Sequence, residues 1–455
     1  LSRLGVTALA WALVLGFTHA GRAQSPLLFT PQADPADFGL NVPDASPKPG
    51  GGRRVLVKST GDELVVGKVL VEAGDAFVVI MPDGRLTSVP QHEATVTDRP
   101  FKAVAFDELG RQLTDTKFVG FKTHKTKRYL YVYNSSRQFF EATRNILETM
   151  YPSLFGYCRR KKIPVRDPDV PLVVIMFRTQ DEFEKYHPMP EGVLAYYSGV
   201  SNHVVLYEQS KLLEVAPELA FKQAISTIAH EGVHQVLHNI GVQQRLSRWP
   251  MWISEGLPEY FAPTQIGAKI KWKGVGFPND LRMKSLETLI KEGKGSQELV
   301  RPAVEADRLD ATGYASAWAL THFLAERRRE KFVSFLVDVS KYQPLEKHTP
   351  DENQALFAKY FGRDFAEFDT ELVKHLSKLD YVDPILNQTH YVAMMQIGRG
   401  RKGYLVTTSP TAVEKWQQEE LAKLSANLQS QVSFNIQPFP NRDTALAFAK
   451  TWLGR

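Results

Sequence analysis

Near the middle of the chain, His230 and His234 flank Glu231 in the order His-Glu-x-x-His. On a helix, residues four apart lie on one face, so the two imidazoles can converge on one zinc ion at ~2.0–2.1 Å. Glu231 is offset by about 100° around the helix, where a carboxylate can act as general base on an activated water. With 12 histidines in 455 residues, chance alone would produce this spacing in roughly one or two such chains per hundred, so a third ligand is needed.

A third ligand candidate lies in the segment "RWPMWISEGLPEYFAP" (248–263). Glu255 comes 21 positions after His234, and a loop between them allows its carboxylate to fold back onto the two imidazoles. Glu259 follows one helical turn later on the same face, from where it can accept the free ring N–H of a ligand histidine. The alternative is a solvated helix face, but the segment is largely apolar and buried carboxylates need partners. Three protein ligands and one open position make the catalytic type of zinc site.

The helix that must position the two histidines is indicated by its ends. Pro217 suits the first turn of a helix, Gly241 suits a left-handed cap at its end, and apolar residues occupy most sides between them. A buried helix is therefore predicted to carry His230 and His234. His238 continues their face, but it lies ~12 Å along the axis from His230, too far to share its metal.

The motif together with "WISEGLPEYF" resembles the gluzincin metallopeptidases, the thermolysin and aminopeptidase superfamily of MA-type peptidases, and is closest to a secreted bacterial branch. The resemblance spans roughly residues 120–380. It implies a mixed sheet followed by metal-binding helices, Zn²⁺ as the cofactor, and hydrolysis of peptide bonds. The implied roles are zinc ligation by His230, His234 and Glu255, general base catalysis by Glu231, and support of a ligand histidine by Glu259.

A later segment, "GYASAWALTHFL" (313–324), resembles the helix that carries a tyrosine in many relatives. Tyr314 is therefore the candidate for stabilising a tetrahedral oxyanion, with a core tyrosine packing on Trp318 as the alternative. Two features depart from the family pattern. Pro258 requires the second metal-binding helix to start near Ser254 or to bend. Where the aminopeptidase branch has a Glu that holds the substrate amine, residues 199–202 read Gly-Val-Ser-Asn, which disfavours an aminopeptidase.

Other kinds of site find less support in the sequence. The metzincin pattern needs Gly and His where this chain has Leu237 and Ile240. Cys158, the only cysteine, lacks the local signature of a nucleophile and cannot form an intrachain disulfide. The formal charge of +6 is mild and no recognition motif for nucleic acid accompanies it, so no nucleic-acid partner is predicted.

The N-terminus has the pattern of an export signal. Arg3 precedes the apolar run "VTALAWALVLGF", and small residues occupy the cleavage-type spacing, so residues 1–23 are predicted to be removed as a signal peptide. Removal of Arg3 and Arg22 lowers the formal charge by two, to +4. The predicted location is secreted or periplasmic, with no stable membrane insertion after cleavage. An uncleaved N-terminal anchor facing the periplasm is the alternative, although the run is short for a membrane span.

The predicted fold class is α+β, with four parts after the signal. Residues 24–52 are rich in Pro, Gly and Asp and predict a flexible spacer. Short β-branched runs between turns predict a small β-barrel over 53–100, which we expect to be separable from the rest. Residues 117–385 are the zinc metallopeptidase-like domain. Residues 390–455 alternate strand, helix, strand and helix, as in a small α+β module.

The leading hypothesis is an exported zinc metallopeptidase that acts on a peptide or protein substrate. The segment "HVVLYE" (203–208) is predicted to be an edge strand on which an extended substrate lies. The alternative is a zinc-containing binding or scaffold protein with a vestigial site. Both kinds of protein would bind zinc, so the metal content does not separate the two hypotheses. Turnover of a substrate separates them, because only the peptidase would show it. The sequence predicts neither the oligomeric state nor the cleavage specificity.

Overall fold

The computed structural model describes residues 34–59, 63–190, 192–210, 217–265, 270–291, 298–384, 388–398, 400 and 402–453. The predicted signal peptide, residues 1–23, lies outside the described residues, as does the first part of the predicted spacer, 24–33. Among the helices of the described part of the chain, none is both long and apolar enough to cross a membrane.

The fold is mixed α+β, with fourteen α-helices and four sheets in the described residues. The helices are α1 Phe106–Thr116, α2 Arg137–Arg160, α3 Gln180–Tyr186, α4 Pro217–Ile240, α5 Met251–Phe261, α6 Asp280–Lys291, α7 Val300–Glu305, α8 Ala311–Arg327, α9 Arg329–Val339, α10 Pro350–Phe361, α11 Phe365–Leu376, α12 Pro410–Ala422, α13 Ala426–Gln429 and α14 Arg442–Leu453. The strands are β1 Lys48–Pro49, β2 Arg54–Lys58, β3 Leu64–Ala73, β4 Ala76–Ile80, β5 Leu86–Pro90, β6 Thr95–Val96, β7 Lys122–Lys125, β8 Tyr129–Tyr133, β9 Leu172–Thr179, β10 Ala195–Ser198, β11 His203–Gln209, β12 Thr264–Gln265, β13 Lys271–Trp272, β14 His390–Ile397, β15 Lys402–Thr407 and β16 Val432–Phe439.

Strands β1 to β6 form an antiparallel N-terminal sheet in the order β5-β4-β3-β2-β6, with β1 paired to β3. Alternate side chains point inward and make a small apolar core that includes Val55, Val57 and Phe77. The predicted closed barrel is wrong, because β5 and β6 do not pair with each other in the described residues. The outer edge of β5 has another partner, since the Leu86 N–H donates to the Val200 carbonyl at 2.8 Å.

The described part of the predicted spacer, residues 34–52, makes a few contacts with the rest of the chain. Leu40 is only 2% exposed and lies in an apolar cluster on the N-terminal sheet. Phe38 stacks on His187, with the ring centroids 4.9 Å apart. Burial of Leu40 attaches this part of the segment to the N-terminal sheet, whereas the flexibility of residues 24–52 stays a prediction.

The central sheet has the strand order β10-β11-β9-β8-β7 and is mixed. Strands β8, β9 and β11 run parallel, as the long crossover helix α2 between β8 and β9 requires. Strand β10 is antiparallel to β11 and forms the edge of the sheet. The segment predicted as the edge, 203–208, belongs to β11 and lies inside the sheet. The prediction was wrong because two neighbouring apolar strands look alike in sequence, and only the pairing decides which of them is outermost.

Helix α4 carries the His-Glu-x-x-His motif and is embedded in the core. It begins at Pro217 and is followed by Gly241, whose φ of +87° is the left-handed conformation expected of a cap. Gly232 allows a close approach to α2, since a Cβ at this position would lie 2.3 Å from Leu147 Cδ2. Helix α4 is therefore held firmly against α2, and it also contacts α5.

Helix α5 carries the third ligand candidate. It begins at Met251, three residues before the predicted start at Ser254, and continues through Pro258 to Phe261. The proline removes one backbone hydrogen bond without ending the helix. Gly256 lets α5 cross α8 closely, since a Cβ there would lie 2.5 Å from the Ala317 carbonyl oxygen. The crossing leaves every residue of α5 buried.

The C-terminal residues form a three-stranded antiparallel sheet in the order β15-β14-β16. Helix α12 covers one face through Val413 and Trp416, and α14 covers the other through Ala445 and Ala449. The predicted alternation of strand, helix, strand and helix omitted the central strand β14. Because β14 is covered on both faces, its buried residues form a nearly continuous run without the alternation that marks a half-exposed strand.

Candidate metal centre

His230, His234 and Glu255 bring three ligand atoms together from two helices. The Nε2 atoms of His230 and His234 are 3.1 Å apart, and Glu255 Oε2 lies 3.2 Å from the first and 3.5 Å from the second. All three residues are at most 8% exposed. The histidines point the same way because they are one turn apart on α4, and Glu255 reaches them because α5 packs against that helix.

The spacing of these three atoms fits a metal ion. Four ligands at ~2.0–2.2 Å in a tetrahedron are about 3.3–3.6 Å from one another. The three observed separations, 3.1, 3.2 and 3.5 Å, lie close to that range. Glu255 Oε1 and His234 Nδ1 are buried and have no hydrogen-bond partner within the described residues. The group could therefore hold a metal ion, and two imidazoles with a carboxylate are a donor set that zinc accepts.

Glu259 lies on the far side of the His230 ring, with its Oε1 atom 3.1 Å from Nδ1. A proton on Nδ1 would face the Glu259 carboxylate and leave the Nε2 lone pair facing the other two ligand atoms, which is the tautomer that a metal requires. Glu259 is itself held in place by two donors. Arg282 Nη2 donates to Oε1 at 2.5 Å, and Asn279 Nδ2 donates to Oε2 at 2.8 Å.

Sequence reasoning did not identify Arg282 and Asn279. Both belong to the segment "FPNDLR" (277–282), in which the Asn279 side chain accepts the Arg282 backbone N–H at 3.2 Å. This pattern is recognisable as the start of a helix, here α6. Nothing in it indicates that the same side chains hold a carboxylate 20 residues earlier in the chain.

Two buried carboxylates make the centre favourable for positive charge. Burial disfavours a charged imidazole, but hydrogen bonds with Glu255 and Glu259 outweigh this effect and raise the pKa of His230 to about 10. Burial also opposes ionisation of Glu255, but His234 and the hydrogen bonds from both histidines lower the pKa of this carboxyl to about 2. Burial also raises the pKa of Glu259, but Arg282 and His230 outweigh this effect and hold the pKa well below its usual range. A cation placed among these atoms would gain the same attraction.

Glu231 is not part of the three-ligand group. Its Oε2 atom accepts the backbone N–H of Tyr197, in the edge strand β10, at 2.8 Å. Burial raises the pKa of Glu231 to about 8. The charge on His230 and the hydrogen bond from the Tyr197 N–H lower this pKa, but their effect is smaller than that of burial. A carboxylate beside a metal-ligand group and outside the ligand set is placed as a general base would be. The Tyr197 contact was not predicted, because a backbone N–H leaves no mark in the sequence.

Tyr314 lies on α8 beside the ligand group. Its ring centroid is 6.2 Å from that of His230, and the Arg282 guanidinium lies over the tyrosine ring at 5.2 Å. The Tyr314 hydroxyl is buried and has no hydrogen-bond partner in the part of the chain that the structure describes. Buried hydroxyls normally have a partner, so this one is free to donate to a bound molecule.

Parts of the chain are similar to a protein family and to a solved structure. A family model described as a protein of unknown function (DUF1570) matches residues 224–346, a stretch that contains all the predicted site residues. No curated protein matches the chain. The chain is similar to a mutant of an M1 zinc metallopeptidase from Deinococcus radiodurans, at 12% identity and a TM-score of 0.24, over 72% of this chain and 61% of that chain. It thus spans less than two thirds of that protein.

Proposed function

We propose that this protein is an exported zinc-dependent metallopeptidase. The observation that supports the proposal is the convergence of His230, His234 and Glu255 beside a separate carboxylate, Glu231, that is bonded to the edge of a sheet. A purely structural zinc site is closed by four protein ligands, whereas three converge in this group. In the gluzincin pattern that the sequence resembles, these positions are the ligands and the general base.

Zinc bound at this group would polarise a peptide carbonyl and lower the pKa of a water molecule. Glu231 would take a proton from that water and pass it to the amine that leaves when the peptide bond breaks. Glu259 would hold the His230 ring in one orientation through Nδ1. The Tyr314 hydroxyl would donate a hydrogen bond to the oxygen of the carbonyl under attack.

The edge strand β10 would hold an extended substrate. In an antiparallel pair, every second residue turns its N–H and C=O away from the partner strand. The Tyr197 N–H points to Glu231 and not to β11, so Ala195, two residues earlier, turns its own N–H and C=O to the same edge of the sheet, where no strand is paired in the described residues. A peptide that paired with this edge would pass the Glu231 carboxylate.

A pocket of about 330 Å³ lies beside the start of β10. Its wall is largely apolar and includes Phe139, Leu194, Phe221 and Ala224, the last on the same helix as His230. Such a pocket can take a bulky apolar side chain. The proposed substrates are therefore extended or unfolded peptides with an apolar residue near the bond that is cleaved.

The test of this function is Glu231→Gln in the purified full-length protein. The substitution keeps the size of the side chain but removes the base, so cleavage of an unfolded protein substrate should fall by about 10²–10⁴-fold. Zinc should remain bound, because Glu231 is outside the ligand group. Glu326→Gln is a matched control, since Glu326 accepts a hydrogen bond from Tyr260 on α5 and is not one of the proposed catalytic groups. Cleavage near the wild-type rate by Glu231→Gln would refute the mechanism.

A zinc-containing scaffold or binding protein with a vestigial site is the second candidate. The observation in its favour is the enclosure of the groups that would act on a substrate, since Glu231 is 5% and Tyr314 1% exposed. A peptide library and a metal analysis on the same preparation separate the two candidates. Zinc at one ion per chain without cleavage of any library member would favour the scaffold.

A further inference from the structure

Arg245 is a buried arginine whose hydrogen-bond partners are three backbone carbonyls. Its Nε donates to Gly199 at 2.7 Å, Nη1 to Gly84 at 2.7 Å and Nη2 to Val200 at 2.9 Å. Gly84 belongs to the β4–β5 turn of the N-terminal sheet, whereas Gly199 and Val200 belong to the β10–β11 turn that follows the edge strand. A buried charge is costly unless its donors are satisfied, and the planar guanidinium therefore holds the two turns together.

Further contacts join the β4–β5 hairpin to the β10–β11 turn. The Leu86 N–H donates to the Val200 carbonyl at 2.8 Å, and the side chains of these two residues share an apolar cluster. Gly84 has a φ of +89°, and a Cβ there would lie 3.2 Å from Val170 Cγ2 and 3.5 Å from Asn202 Nδ2. The β4–β5 turn therefore lies directly against the β10–β11 turn, at a distance that favours glycine.

The β10–β11 turn is also bonded to helix α4. Asn202, with a φ of +63°, exchanges two side-chain amide hydrogen bonds with Asn239 of α4, at 2.7 and 3.0 Å. Asn202 Oδ1 also accepts the hydroxyl of Tyr197 at 2.8 Å. The backbone N–H of the same tyrosine holds Glu231. A short path of hydrogen bonds and main-chain links thus runs from Arg245 through the turn and Tyr197 to the proposed general base.

We infer that Arg245 and the N-terminal sheet position the edge strand β10, so this sheet is part of the catalytic unit and not a separable appendage. Arg245 contacts none of the proposed reacting groups, and it is therefore a positioning residue. Without the guanidinium, the Gly199 carbonyl loses its donor and the Val200 carbonyl keeps only the Leu86 N–H. Strand β10 then loosens, and the Tyr197 N–H no longer holds Glu231 in place. The catalytic consequence rests on the proposed function, whereas the effect on β10 does not.

Hydrogen–deuterium exchange of the full-length protein, measured by mass spectrometry, tests the effect on β10. In Arg245→Gln, the amides of residues 195–203 should exchange at least about tenfold faster, because local opening is opposed by fewer hydrogen bonds. Exchange in α5 and the zinc content should match wild type, because Arg245 contacts none of the three ligands. Arg245→Lys keeps the charge and a donor, so it should restore part of the protection.

Lys68→Met is the matched control for a contact between the N-terminal sheet and the rest of the chain. Lys68 pairs with Asp169 at 2.9 Å, and neither residue belongs to the β10–β11 turn. Exchange over residues 195–203 should therefore be the same in Lys68→Met as in wild type.

Gly84→Ala is the second test variant, because it strains the contact between the two turns from the side of the N-terminal sheet and leaves the Arg245 side chain in place. It should also accelerate exchange over 195–203, and it replaces Arg245→Gln if that variant does not fold.

Two results would overturn the positioning role. One is unchanged exchange over residues 195–203 in folded Arg245→Gln, and the other is an equal acceleration over the whole chain. If wild type cleaves peptides, Arg245→Gln should lower kcat/KM by up to about 10²-fold, because β10 both holds the substrate and bonds the proposed base. Faster exchange over 195–203 in a protein whose wild type never cleaves peptides would support the positioning of β10 and refute the peptidase.

Discussion

Replacement of Glu259 is the perturbation that tests the design of the metal centre most directly. The carboxylate faces His230 Nδ1 at 3.1 Å and accepts hydrogen bonds from Arg282 at 2.5 Å and Asn279 at 2.8 Å. Glu259→Gln keeps the size of the side chain and one acceptor oxygen but removes the negative charge. The substitution therefore changes both the environment of a ligand histidine and the partner of a partly buried arginine.

The two effects have different magnitudes and different measurements. Loss of the charged acceptor for a ligand histidine should weaken zinc affinity by about 10–100-fold. Loss of one partner from a buried ion pair costs ~3–5 kcal/mol in the free energy of unfolding, and the partial exposure of Arg282 places this case near the lower end. The double variant Glu259→Gln, Arg282→Met removes both charges, so it should recover much of the stability without recovering zinc affinity.

Competition with a chelator of known strength measures the zinc affinity of wild type and of both variants, and denaturant unfolding measures their stability. Equal zinc affinity in Glu259→Gln and wild type would show that Glu259 does not support the ligand. Recovery of zinc affinity in the double variant would show that Glu259 acts on the metal only through stability. Either result would refute the proposed role of the Glu259–His230 contact.

Glu255→Ala should lose stoichiometric zinc, measured by metal analysis after dialysis, because one of three ligands is removed; full zinc loading would exclude Glu255 from the ligands. Tyr314→Phe should change stability by less than about 0.5 kcal/mol, because the hydroxyl has no protein partner in the described residues, whereas kcat should fall by about 10²–10³-fold. An unchanged kcat would leave Tyr314 as a core residue. Burial lowers the pKa of His203 to about 4, so its contribution to stability is present above the unfolded-state pKa of ~6.5 and is lost as the pH falls through about 4. Between these values the stability of wild type should fall relative to His203→Gln by ~1.4 kcal/mol per pH unit, and parallel pH profiles would contradict this.

The groups that could do chemistry were recognisable from the sequence because their arrangement is local. An α-helix converts a spacing of four residues into one face, so His230 and His234 had to point the same way once a helix formed. The ends of that helix were also recognisable, since Pro217 and Gly241 have conformational preferences that act without any partner. Glu255 was found because a carboxylate within an apolar helix requires a partner.

The shape around these groups was decided only by tertiary contacts. A strand pattern shows which residues alternate, but it does not show which strands are neighbours. The N-terminal strands therefore form an open sheet instead of the predicted barrel, and β10 instead of β11 lies at the edge of the central sheet. Pro258 predicted a shorter or bent helix, yet α5 continues through it, because the loss of one backbone hydrogen bond is outweighed by burial of the whole helix.

The residues that hold the chemical groups in place were the least visible in the sequence. Arg282 supports Glu259 from a separate helix, and Arg245 joins two turns that are more than 100 residues apart in the chain. The three hydrogen bonds of Arg245, like the one that holds Glu231, use backbone atoms of the partner residues. A local sequence pattern can reveal a side chain with a chemical role. The atoms that hold this side chain in place come from backbone segments that are distant in the chain, and only the folded structure shows which segments these are.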